Sequence, residues 1–191
     1  MTNSSPPFTV DDIQSLTDCT VPSQAWLSNN SEKLSEHPPI SGLATSIIVF
    51  NPAGRVLVIQ RASNDSMPNL WEAPGGAVDE EDASILEAAA RELREESGLV
   101  VSRFRRLVST FDVFHNRNRS RAFVRLAFLV DVESCDSVRL DPDEHQAFAW
   151  ATEDDVRCQT LDGLPMPITA DAMRHLLLES FRSRRELEAG S

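Results

Sequence analysis

The chain has 191 residues, a formal net charge of -12 and a sequence pI near 4.7. That length suits one domain, or one domain with an appendage, and can bury a substantial core. The acidic balance argues against a partner such as long nucleic acid, and suits a protein that concentrates carboxylates for a metal ion. Cys19, Cys135 and Cys158 are widely spaced and form no C-x-x-C pair. They read as reduced thiols, not as a disulfide frame or zinc site. The opening MTNSSPPFTV has no charged segment followed by an apolar run, and no stretch approaches the roughly 20 apolar residues of a membrane helix. The expectation is a cytoplasmic protein with no membrane partner.

Residues 1–40 are rich in Ser, Pro and Asn, with one short helix expected around Asp11–Leu16. This extension either wraps the following domain through Trp26 and Leu27 or is a partly disordered tail; composition suits both. Leu43–Phe50 is a β-branched run, Asn51-Pro52-Ala53-Gly54 a turn, and Arg55–Arg61 alternates like a strand, so the three predict a hairpin. Ala62–Pro74 is a loop stiffened by Pro68, Trp71 and Pro74, and it leads to Gly75-Gly76.

An acidic loop then precedes a helix. Ser84 and Glu87 have capping-box spacing, Ala88-Ala89-Ala90 are strong helix formers, and Gly98 stands where a left-handed cap is needed. Leu86, Ala89, Ala90 and Leu93 fall on one apolar stripe at 100° per residue. Glu92, Glu95 and Glu96 share another face. Carboxylates packed so closely repel unless a counter-charge is present, and a hard divalent cation such as Mg²⁺ is the natural one. A solvated acidic helix face is the competing explanation for the glutamates alone. Arg91, four residues before Glu95, is placed to orient it.

Beyond the helix, Val100–Val113 contains strand-like segments, and His115–Arg121 is a basic turn. Phe123–Val132 is a strong strand, Gln146–Ala151 a short one, and Thr152–Asp155 a helix start. Ile168–Leu187 carries helical apolar spacing through Ala172, Leu176 and Leu177. Strands interleaved with two main helices predict an α/β protein whose mixed sheet is covered on both faces.

Taken together, the glycine pair, the capped helix and the order R-E-L-x-E-E-x-G-L resemble the Nudix box, G-x5-E-x7-R-E-U-x-E-E-x-G-U with U a bulky aliphatic residue. Every defined position of the second half, Arg91 through Leu99, matches. The first half departs: counting back from Arg91 puts Ala83 at the box's first glutamate and Ala77 at its glycine. Counting forward from Gly76 puts Asp82 there, with eight residues before Arg91, so a one-residue insertion lies ahead of Ser84. Asp82 or Glu81 is left to substitute for the missing acid.

The resemblance implies a Nudix-type α/β/α sandwich with a mixed sheet at residues 41–187, after the 1–40 extension and before a 188–191 tail. It implies a hydrolase that cleaves a pyrophosphate bond in a nucleoside diphosphate linked to another moiety, acting on a small molecule as a monomer or homodimer. It assigns Gly75, through its carbonyl, with Glu92, Glu95 and Glu96 as holders of Mg²⁺, or alternatively Mn²⁺. Glu95 or Glu96 would contact metal or activate water, Arg91 would orient, and Glu144 is the candidate for a distal base, unless Asp141–His145 only solvates a turn. His145 is a weaker candidate. Arg61 follows a strand and is a candidate phosphate ligand, with a surface salt bridge as the alternative. Arg117, Arg119 and Arg121 are further candidates, although a basic hairpin tip also serves solubility. Trp71, Phe111, Phe114 and Trp150 are available to stack on a base or to fill a core. A catalytically silent domain that binds a nucleotide or a partner is the alternative function. An isomerase of this fold would need a cysteine near the box, which is missing.

Overall fold

In the computed structural model, which describes residues 8–108, 111–116 and 118–190, the apolar runs become strands of two separate sheets. The first segment holds β1 (Thr9–Val10), α1 (Ile13–Leu16), a 3₁₀ turn (Thr17–Cys19), α2 (Ser23–Asn29) and α3 (Ser31–Leu34). Next come β2 (Ile40–Val49), β3 (Val56–Arg61), β4 (Trp71–Glu72), α4 (Ile85–Ser97) and β5 (Val101–Leu107). They are followed by β6 (Asp112–His115), β7 (Ala122–Val132), β8 (His145–Ala151), α5 (Glu153–Cys158), β9 (Thr160–Leu161), β10 (Leu164–Pro165) and α6 (Asp171–Ala189).

The larger sheet runs β1-β5-β7-β2, with β6 also on β7; β1/β5 and β2/β7 are parallel and the other pairs antiparallel. It is a mixed sheet in an α/β architecture. The smaller sheet, β4-β3-β8, is antiparallel. Because successive side chains point to opposite faces, the central strands serve two cores. Ile47, Leu57, Ile59, Leu126 and Phe128 join α4 on one side, while Ile48, Val56, Val58 and Leu129 join α6 on the other.

The predicted hairpin does not form. The Asn51–Gly54 turn is present, with Asn51 N–H donating to Arg55 C=O at 2.9 Å and a lone bridge between Phe50 and Val56. Beyond it the strands part, β2 to β7 and β3 to β4 and β8. The cause is that Val56, Leu57, Val58 and Ile59 are all fully buried. A strand covered on both faces is a central strand, and β3 finds its two partners elsewhere.

The first segment lies on the α4 side. Phe8, Leu16, Cys19, Trp26 and Leu34 are buried in the same cluster as Leu86, Ala89 and Leu93. Trp26 meets the Phe111 ring edge-on at 6.2 Å. β1, α2 and α3 have no counterpart in the sequence reading, because each is too short to show a period. Helix α4 forms where predicted, with the Ser84 half of the expected capping box. The Ser84 hydroxyl accepts from Glu87 N–H at 3.2 Å, and Gly98 closes the helix at φ 70°. Helix α6 begins at Asp171, later than predicted, because Ile168 bridges Trp71 and Thr169 N–H donates to Trp71 C=O. Among the described residues no helix is long and apolar enough to cross a membrane.

Truncating Trp26 to Ala removes the anchor of the first segment from a core it nearly completes. The expected cost is about 3 kcal/mol, read as a lower urea midpoint; an unchanged midpoint would show that the segment adds nothing to stability.

Candidate functional site

The glycine loop is stitched to the free edge of β2. Ile47 N–H donates to Pro74 C=O at 2.7 Å, Thr45 N–H to Gly76 C=O at 2.8 Å, and Val78 N–H to Leu43 C=O at 3.0 Å. The two glycines answer to two different neighbours. A Cβ on Gly75, whose φ is 149°, would stand 2.1 Å from the Thr45 carbonyl oxygen. One on Gly76 would stand 2.5 Å from Glu92 Oε2. The loop therefore fits between the sheet and α4 only without side chains.

The extra residue before α4 is absorbed in the acidic loop, and Asp82 turns towards Arg91. Its carboxylate accepts from Arg91 Nε at 3.1 Å, from a terminal guanidinium nitrogen at 2.9 Å, and from Asp79 N–H at 2.9 Å. Glu81 is exposed. Arg91 also donates to Ala77 C=O at 3.2 Å, Glu92 at 2.9 Å and Glu95 at 3.0 Å. One guanidinium thus joins the loop to the glutamate face.

The three glutamates differ more than their spacing suggests. Glu95 is exposed and turned to Arg91. Glu92 lies against Gly76, where burial raises its pKa against the pull of Arg91. Glu96 is only 6% exposed and accepts from Gly75 N–H at 2.6 Å. Burial pushes its carboxyl up to about 9; the Gly75 N–H opposes this, and the neighbouring Glu92, Glu72 and Glu144 add to it. Glu92 and Glu96, four apart, point together into a cleft of about 310 Å³ that Glu95 does not line.

The opposite wall comes from the smaller sheet. Arg61 ends β3 and stands in register with His145, the first residue of β8. Arg61 is already committed to carboxylates: it pairs with Glu72 and, at 2.5 Å, with Asp65. Glu144 is exposed at the cleft, its carbonyl held by Ala62 N–H at 2.8 Å. His145, expected in a loop, is instead built into β8. It is a strand residue, 3% exposed, with Nε2 3.8 Å from both Glu72 Oε1 and Glu96 Oε1. Ligand atoms of Glu96, Glu144 and His145 all lie within 4.8 Å of one another. This donor set fits a cation, since Asp65, Glu92, Glu96 and Glu144 line the cleft against the one guanidinium of Arg61.

A second cavity of about 280 Å³ adjoins the first, sharing Arg61 and Gly75–Ala77 and reaching Phe114, Phe123 and Arg125. The Arg125 guanidinium lies over the Phe114 ring at 4.5 Å and 3.8 Å from Asp112. Arg125 escaped the sequence reading, although a lone cation inside the apolar run FVRLAFLV was the available signal. Arg119 is exposed at the β6–β7 turn and lines neither cavity; Arg117 lies outside the described residues. Trp71 fills the α6-side core, and none of the cysteines lines the cleft.

Residues 41–172 match the family model described as NUDIX domain. The chain is 31% identical over 134 residues to the CTP pyrophosphohydrolase of Escherichia coli (strain K12), covering 69% of this chain and 85% of that protein. It is 31% identical over 119 residues to a MutT-like protein of Streptomyces ambofaciens, covering 62% and 69%. The crystal structure of a MutT NUDIX hydrolase from Burkholderia pseudomallei aligns with a TM-score of 0.58 at 25% identity, over 72% of this chain and 96% of that one.

The two glycines should respond differently to alanine. Gly75→Ala drives a Cβ into main chain and should cost about 3 kcal/mol or more in urea unfolding. Gly76→Ala meets only the end of Glu92 and should cost about 1 kcal/mol; equal losses would contradict the two contacts.

Stability in chelator should also depend on pH through Glu96. Its folded pKa, about 9, lies above the ordinary 4.5, so between those values the folded state keeps a proton that the unfolded chain releases. The contribution is full below 4.5 and is lost as pH rises through 9. Between pH 6 and 9, Tm should fall on the order of 5 °C further in the parent than in Glu96→Gln. Parallel curves would show that Glu96 is charged throughout.

Proposed function

The chain belongs to the Nudix family, and from that premise we propose that it hydrolyses a pyrophosphate bond in a nucleoside diphosphate carrying a further group. A third phosphate is one such group, as the name of the Escherichia coli relative indicates for that protein. The observation that carries the reading is the convergence of Glu92, Glu96 and Glu144 on one cleft beside the glycine loop.

Glu92 and Glu96 would hold Mg²⁺, or Mn²⁺, with Glu95 and the Gly75 carbonyl as further ligands. When bound, such an ion neutralises the diphosphate and acidifies water. Arg91 keeps Glu92 and Glu95 in place and touches no substrate. Glu144, at the exposed side of the cleft, accepts a proton from the attacking water. The water oxygen bonds to phosphorus, the bond from that phosphorus to the bridging oxygen breaks, and two phosphate-ended products leave. Arg61 borders both cavities, and the nucleoside end lies in the second, against Phe114, Phe123 and Arg125.

The test is a panel of nucleoside triphosphates and diphosphate conjugates with Mg²⁺, following phosphate and pyrophosphate release. At least one compound should turn over, and excess chelator should abolish it. Glu96→Gln keeps the side-chain volume but removes the charge, and should lower turnover on the order of 10²-fold. Hydrolysis in chelator, or a Glu96→Gln rate equal to the parent's, would refute the proposal.

A further inference from the structure

His145 has an environment that the reaction above does not use. Its side chain is 2% exposed, and neither Nδ1 nor Nε2 has a hydrogen-bond partner among the described residues. A buried imidazole left so costs its full desolvation, and such groups are rare in native proteins without a reason. The ring is delivered to the cleft by backbone. His145 N–H donates to Asp141 C=O at 2.8 Å, and the ladder to β3 shifts register between Gln60 and Arg61, directly opposite. Irregularities of that kind re-aim side chains beside functional sites.

The spacing is informative. At 3.8 Å from Glu96 Oε1, Nε2 is beyond hydrogen-bond reach. Two ligands on one ion with bonds of about 2.1 Å can stand no more than about 4.2 Å apart, and the observed separation lies within that reach. Glu72 is equally near, but its charge is already met by Arg61. Glu96 has only the Gly75 N–H, and Glu144 completes a set whose donors lie within 4.8 Å of one another.

We propose that His145 is a nitrogen ligand, through Nε2, of a divalent transition-metal ion held jointly with Glu96 and with one oxygen of Glu144, whose other oxygen is left to accept the proton of water. This rests on the reading of the cleft as a cation site and specifies which ions it takes. Imidazole suits Mn²⁺, Co²⁺ and Zn²⁺, whereas Mg²⁺ prefers oxygen and retains its waters. The site therefore holds ions that accept nitrogen more tightly than Mg²⁺, which it takes through the carboxylates alone. The ion also supplies the contact that burial denies the ring.

Pulsed electron paramagnetic resonance on the full chain tests this directly. The protein is stripped with chelator, loaded with one equivalent of Mn²⁺ and compared with a uniformly ¹⁵N-labelled sample. The parent should show coupling to a directly bound imidazole nitrogen, changing with the isotope. His145→Gln should lose it while retaining bound Mn²⁺, with affinity lowered about 10-fold or more. Mg²⁺ affinity, measured by competition, should change less than about 3-fold. The parent spectrum decides the matter even where His145→Gln fails to fold. Bound Mn²⁺ without nitrogen coupling, or coupling that survives in a folded His145→Gln, overturns the assignment and leaves the cation site standing. Failure of the parent to bind millimolar Mn²⁺ overturns both.

Discussion

The hydrogen bond from Gly75 N–H to the Glu96 carboxylate, 2.6 Å long, ties together three parts of the molecule. Glu96 belongs to α4, Gly75 to the loop after β4, and that loop is held by three main-chain hydrogen bonds to β2. A carboxyl group only 6% exposed is costly to ionise, and one N–H donor does not offset the loss of water around it. The arrangement persists because the helix cannot move away. Ile85, Leu86, Ala89 and Leu93 bury its other face in the core. Packing energy from the apolar stripe thus holds an acid where electrostatics alone would not put it.

Arg91 handles the opposite problem. Eight carboxylates lie along this loop and helix, and a single guanidinium reaches Asp79, Asp82, Glu92 and Glu95. It leaves Glu96 out. Arg91 therefore balances the carboxylates along the loop and the exposed face of α4 and leaves Glu96, on the cleft side, without a guanidinium partner. A planar fork with donors on both edges can span such a set, which a lysine ammonium cannot.

The cleft itself exists because the two sheets separate. Had β2 and β3 remained a hairpin, Arg61 and His145 would lie on the same sheet as the glycine loop. Instead β3 and β8 form a second wall facing α4, and the gap between the walls is lined by polar groups from both. The adjoining cavity extends the gap along β7, where Arg125 lies flat on Phe114 and is partly desolvated. Burial lowers the pKa of that guanidinium, with Asp112 and Glu72 opposing it.

Helix α4 was legible from its residues because its signals are local. Ser84 caps within one turn, the apolar stripe repeats at the helical period, and Gly98 adopts a left-handed conformation that other residues avoid. Strong strands such as β7 were legible for the same reason, and so was the box pattern that names the family. Local chemistry could not say that Glu95 faces Arg91 while Glu96 is buried, since both share a helix face by spacing. Nor could it show that β2 and β3 part, because strand pairing depends on residues nearly a hundred positions away. Arg125 was passed over and His145 ranked low for that reason: each looks ordinary in its own segment. Their character comes from Glu96, Glu72 and Phe114, which only the folded chain brings alongside. Local sequence settled where the longer helices and strands form; long-range burial settled how they pair and which of their polar groups are left facing one another.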